Sequence, residues 1–233
     1  MAGVTRPVPI VALDVPTSAE ALALVHRLGD RCRFYKIGSE LFTSEGPSVV
    51  RAVRDAGCDV FLDLKFHDIP NTVRAAVRAA SALGVRLLTV HAVGGDTMLR
   101  AAVEGAGASC GVLAVTVLTS LEARDVSRAW GRPDVVVHTE VLRLAESAAD
   151  AGAHGIVCSG QEVGAVRAAL GDRLALLVPG IRPAGAPSHD QARTSTPAEA
   201  AAAGARYLVL GRAVTAASNP AAAMTAVNRE LGL

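Results

Sequence analysis

Eight times along this chain a short apolar run gives way to a segment whose apolar residues recur at helical spacing. The runs fall at residues 8–13, 34–38, 61–66, 86–91, 111–118, 155–158, 174–178 and 207–210. The helical segments follow at about 21–28, 47–56, 70–83, 96–104, 141–150, 161–170 and 197–203, and the last runs through Val227 and Leu231. Short strands separated by helices cannot be joined as hairpins, so the cadence predicts parallel strands linked by right-handed crossovers. Eight such units within 233 residues favour an α/β fold closed into a (β/α)8 TIM barrel, which typically needs about 250 residues. No GxGxxG follows the first run, which weakens an open dinucleotide-binding sheet. With no linker or low-complexity break, we read residues 1–233 as a single barrel domain.

Several function classes are disfavoured by composition. Net charge is +1, no basic run occurs and aromatics make up 3%, so neither phosphate tracking along nucleic acid nor base stacking is indicated. No apolar run approaches the ~18 residues of a membrane span, and Pro7, Pro9 and Asp14 interrupt the apolar N-terminal piece before any leader-like cleavage pattern. Cys32, Cys58, Cys110 and Cys158 are widely spaced, form no CxxC pair, and read as small buried residues in a reducing cytoplasm.

In such barrels the reacting groups sit where strands end, at the C-terminal mouth. This chain places Asp14 after the first strand, Lys36 in the second, Asp63, Lys65 and Asp68 at the third, and Thr119 after the fifth. Asp63 and Lys65 share one strand face, while Leu62 and Leu64 point the other way. Pro70 suits the first turn of a helix, so Asp68 lies at the strand-to-helix junction. Taken alone, Asp68 could cap that helix and Asp63 with Lys65 could be a solvated ion pair. Lysine usage argues for more: of 23 Lys and Arg residues, only Lys36 and Lys65 are lysines. An ammonium gives up a proton, which a guanidinium does not, so lysine at two strand ends reads as proton chemistry. Gly180-Ile181-Arg182 after the seventh strand and Gly211-Arg212 after the eighth suit a phosphate dianion. His91 reads as a core histidine, and His67 lacks the i, i+4 partner of a helical metal pair.

The run Asp63-Leu64-Lys65-Phe66-His67-Asp68-Ile69-Pro70-Asn71-Thr72 resembles the signature of the orotidine 5'-phosphate decarboxylase family. Further blocks resemble that family in order: Ala12-Leu13-Asp14, Tyr35-Lys36-Ile37-Gly38, Thr89-Val90-His91-Ala92, Val117-Leu118-Thr119-Ser120, Pro179-Gly180-Ile181-Arg182-Pro183, Asp190-Gln191, Thr196-Pro197 and Gly211-Arg212. The resemblance implies cofactor-independent conversion of orotidine 5'-monophosphate to UMP, with no metal, by a homodimer whose active sites are shared across the interface. Lys36, Asp63 and Lys65 would form the reacting centre with Asp68 of the neighbouring subunit, and Lys65 would donate the proton. The remaining residues of the 63–72 run would line the substrate. Asp14 and Lys36 would contact the ribose, Thr72 would reach it across the dimer, and Thr119 would hold the pyrimidine. Arg182, Gln191, Gly211 and Arg212 would bind phosphate under a closing loop at 179–195. Ala213 stands where many members have proline, and Arg193-Thr194-Ser195 departs from more usual apolar residues. Metal-dependent sugar-phosphate decarboxylases and aldolases also resemble this chain at the third strand, but they carry a carboxylate at the position of Lys36.

Overall fold

A computed structural model describes residues 6–182 and 195–233. Its strands are β1 Val8–Ala12, β2 Phe34–Gly38, β3 Asp59–Phe66, β4 Leu87–His91, β5 Gly111–Val115, β6 Gly155–Val157, β7 Ala175–Val178 and β8 Tyr207–Leu210. They pair in parallel in sequence order, and β8 returns to β1 through Val8↔Tyr207 to Val11↔Leu210, closing the barrel. The predicted architecture is the observed one.

The helices are α1 Ser18–Leu28, α2 Ser39–Glu45, α3 Pro47–Asp55, α4 Pro70–Ser81, α5 Asp96–Ala106, α6 Ala123–Trp130, α7 Val137–Asp150, α8 Val163–Leu170, α9 Pro197–Ala202, α10 Arg212–Thr215 and α11 Pro220–Glu230. Three of them, α2, α6 and α10, go beyond the eight expected from periodicity. Each fully buries one residue, Leu41, Val126 and Val214 respectively, and each spans eight residues or fewer, about two turns at most, so the helical repeat is too short to stand out in the sequence. Helix α6 lies within the segment 119–133, read from sequence only as a long connection. It is set by local chemistry: Glu122 and Asp125 form a capping box, and Gly131 closes it in the left-handed conformation.

Two apolar layers follow from strand alternation. Residues pointing outward, among them Val11, Ile37, Leu62, Leu88, Ala114 and Leu176, pack beneath the helices. Residues pointing inward, including Ile10, Phe34, Phe61, Leu87, Leu113 and Tyr207, fill the barrel. At the N-terminal end Phe34 meets Tyr207 edge to face, with ring centroids 6.3 Å apart, which plugs the floor. Above this plug, space is left inside the barrel at the C-terminal mouth. All four cysteines are buried and unbridged, and burial pushes the Cys32 and Cys110 thiols up to about 11 and about 12, leaving them protonated and unreactive.

Candidate active site

The mouth is built two residues beyond the plug. One step of strand alternation takes Phe34 to Lys36, Phe61 to Asp63, Ala12 to Asp14 and Val209 to Gly211, and a further step takes Asp63 to Lys65. All of these except Phe34 line one cavity of about 340 Å³. Its apolar wall includes Val115, Val117, Val157 and Leu177, and Thr119 and Ser120 stand at its rim after β5. The volume suits a small-molecule substrate.

Across the cavity run four charges of alternating sign. The Lys36 ammonium donates to Asp14 at 2.9 Å and lies 3.8 Å from Asp63, whose Oδ1 in turn accepts from the Lys65 ammonium at 2.8 Å. Lys36 and Asp63 side chains are each only 13% exposed, so these charges act through little water and interact strongly. Gly38 makes room for them: a Cβ there would sit 3.1 Å from Lys36 Nζ, close enough to shift the ammonium by a few tenths of an ångström. Lys65 is one of two non-glycine residues at positive φ among the described residues, at +51°, where β3 departs from its register with β4. That conformation costs an L-residue about 1–2 kcal/mol.

At the opposite wall Gly180, Arg182, Gly211 and Arg212 line the same cavity. Gly180 adopts φ +72° at the turn out of β7, a conformation glycine takes without strain. Arg182 is 9% exposed and held at its backbone by donation to the Ser195 carbonyl at 3.0 Å. Its Nε is buried without a hydrogen-bond partner among the described residues. A buried guanidinium donor with no acceptor is a costly arrangement that an anion would relieve. Gln191, expected to join this end, lies outside the described residues.

The other members of the 63–72 run do not enter the cavity of their own chain. Leu64 and Phe66 pack against the layer beneath the helices. His67, Asp68, Ile69, Asn71 and Thr72 are exposed, Pro70 half-buried, and none lines the pocket. Helix α4 begins at Pro70 with Ile69 as its N-cap and no side-chain cap; the Asp68 carboxylate instead accepts from the Ile69 amide at 2.6 Å. His67 and His91 meet with ring centroids 5.6 Å apart. Burial first, then the neighbouring His67 and Lys65, holds His91 below the ordinary histidine range, so it is neutral at pH 7. Among the described residues no group of three or more His, Cys, Asp or Glu side chains is placed to hold a metal ion.

A parallel barrel with a lysine–carboxylate array at its strand ends, facing two arginines across one small cavity, defines an enzyme for a compact anionic substrate. Comparison with known sequences identifies which. Residues 7–227 match the family described as Orotidine 5'-phosphate decarboxylase / HUMPS family, and the chain belongs to it. The orotidine 5'-phosphate decarboxylase of Anaeromyxobacter sp. (strain K) is 54% identical over 218 residues, covering 93% of this chain and 94% of the relative. That of Nitrosococcus oceani is 48% identical over 228 residues, with 95% and 96% covered. The crystal structure of orotidine 5'-phosphate decarboxylase from Lactobacillus acidophilus superposes with a TM-score of 0.86 at 38% identity, covering 98% of this chain and all of that one.

Proposed function

We propose that this chain decarboxylates orotidine 5'-monophosphate to UMP, the last step of pyrimidine nucleotide synthesis, with Lys65 as proton donor and no cofactor. The observation that carries the mechanism is the Asp14–Lys36–Asp63–Lys65 array, its charges 2.9, 3.8 and 2.8 Å apart. When the bond from C6 to the carboxylate breaks, CO2 departs and the electron pair stays on C6 in the ring plane, with no carbonyl to delocalise it. A fixed ammonium beside C6 stabilises that pair. Lys65 then breaks one N–H bond to form C6–H, and solvent returns the proton, so the reaction consumes one proton and releases UMP and CO2. Asp63, placed against the substrate carboxylate, orients the Lys65 ammonium through their 2.8 Å contact.

Pyrimidine and ribose occupy the span between Thr119 and the Asp14–Lys36 pair, and the phosphate reaches Arg182, Gly211, Arg212 and Gln191. Binding energy collected at the phosphate, remote from C6, organises the charges where bonds change. The working unit is a cytoplasmic homodimer in which Asp68 and Thr72 serve the site of the partner subunit. Their exposure outside their own cavity supports that assignment. No helix among the described residues is long and apolar enough to cross a membrane, in keeping with this location. A divalent cation is disfavoured by charge: the Lys36 ammonium already stands between the Asp14 and Asp63 carboxylates.

The direct test follows the loss of orotate absorbance when purified protein meets orotidine 5'-monophosphate, with and without excess EDTA. Rapid loss insensitive to chelator is expected. A folded protein that binds UMP without turnover would overturn the reading, and chelator-sensitive turnover would reassign the array to metal chemistry. At the phosphate end, Arg212→Ala should raise KM for the nucleotide about 10- to 100-fold, the worth of a charge-assisted hydrogen bond. Turnover of orotidine, which lacks the phosphate, should barely change; equal losses on both substrates would remove Arg212 from this role.

A further inference from the structure

We propose that Thr89, a buried threonine of β4 outside the cavity lining, is a positioning residue that sets the Lys65 ammonium against Asp63; this rests on the proton-donor role of Lys65. Strands β3 and β4 stay in register to Leu62↔Leu88 and resume it at Phe66↔Val90. Between those pairs β3 uses three residues, Asp63, Leu64 and Lys65, where β4 uses Thr89 alone. The extra length forms a bulge that aims side chains at the mouth, and it deprives Lys65 of its ladder partner.

The Thr89 hydroxyl replaces that partner. Its Oγ1 accepts from the Lys65 backbone N–H at 2.9 Å and donates to Asp63 Oδ1 at 2.9 Å. The same Asp63 oxygen accepts from Lys65 Nζ at 2.8 Å. The result is a closed ring: Lys65 backbone to Thr89, Thr89 to Asp63, and Asp63 to the Lys65 side chain. A hydroxyl is needed because it must accept and donate at once. Thr89 is fully buried, at 0% exposed, so water cannot take over either bond. A left-handed lysine persists only where its surroundings over-determine it. Here the ring supplies that constraint, fixing both ends of the residue from one atom.

The test compares Thr89→Val, which keeps the shape and removes the hydroxyl, with Thr89→Ser, which keeps the hydroxyl and removes the methyl. Thr89→Val should lower kcat about 100-fold, the scale of an ångström-level misplacement of a reacting group, while KM and UMP affinity hold because the phosphate wall is untouched. Thr89→Ser should restore most of kcat. Wild-type kcat in the valine variant would overturn the proposal, as would a serine variant that falls with it or a collapse of UMP affinity alongside kcat. If Thr89→Val does not fold, the serine variant decides: retained kcat supports the hydroxyl's role and its loss overturns it. Lys65→Ala, run in parallel, separates the two claims. An active Lys65→Ala protein sinks the proton-donor reading and this inference with it, whereas an inert one beside a fully active Thr89→Val sinks only the positioning role.

Discussion

Lys65→Ala is expected to lose turnover by at least about 10⁴-fold and still fold. Under the proposed mechanism two contributions disappear together: the ammonium that stabilises the developing pair at C6 and the proton that quenches it. Each alone is worth on the order of 10²- to 10⁴-fold. The fold should survive because Asp63 is not orphaned. Its carboxylate keeps the Thr89 hydroxyl at 2.9 Å and Lys36 at 3.8 Å, so removing the half-exposed Lys65 head leaves no bare buried charge. Alanine inherits the φ of +51° and with it the backbone strain, whereas Lys65→Gly relieves about 1 kcal/mol of that strain. The glycine variant should therefore be equally inactive and melt at least as high as the alanine variant. Single-turnover absorbance and thermal denaturation check both points. Residual turnover near wild type would remove Lys65 from the chemistry, and loss of a cooperative melt would make inactivity uninformative for alanine while leaving the glycine variant to decide.

The parts of this molecule legible in the sequence are those written in periodicity. Eight apolar runs spaced by helical segments predict the closed barrel, and alternation along β3 places Asp63 and Lys65 on the inner face with Leu62 and Leu64 outside. The short helices α2, α6 and α10 escape because each spans eight residues or fewer, too short a run for the helical period to stand out. The bulge escapes for a different reason. Nothing in the local run 62–66 announces a left-handed lysine; the constraint is a hydroxyl 24 residues away in sequence, and a threonine in a strand is ordinary. Arg182 is a third kind of case. Its residue type suggested an anion, but only the structure shows it 9% exposed with Nε lacking a partner among the described residues, which turns one of many arginines into a specific donor. Thr89 and the cavity's apolar wall thus owe their places to pairing between strands, information that no single segment carries.

Mixing two inactive proteins should restore activity if the site is shared. Asp68 and Thr72 are exposed and lie outside the lining of the active-site cavity of their own chain. Beside them Ile69 is 67% exposed, and Val93, on the loop leaving β4, is 40% exposed, apolar side chains that a dimer contact here would cover. The two loops are tied by the His67–His91 contact. In a two-fold dimer one patch meets its own copy, so the loop carrying Asp68 can reach over the rim of the partner subunit's mouth. Lys65→Ala and Asp68→Ala chains, each inert alone, would form heterodimers with one site bearing both lesions and one bearing neither. Random exchange of equal amounts makes half the dimers mixed, and half their sites intact, so about a quarter of wild-type activity is expected from this symmetry. Recovery should follow subunit exchange, appearing slowly on mixing and faster under conditions that weaken the dimer. No recovery after exchange, shown by a mixed dimer on a mass spectrum, would place Asp68 with its own chain's site or outside the chemistry.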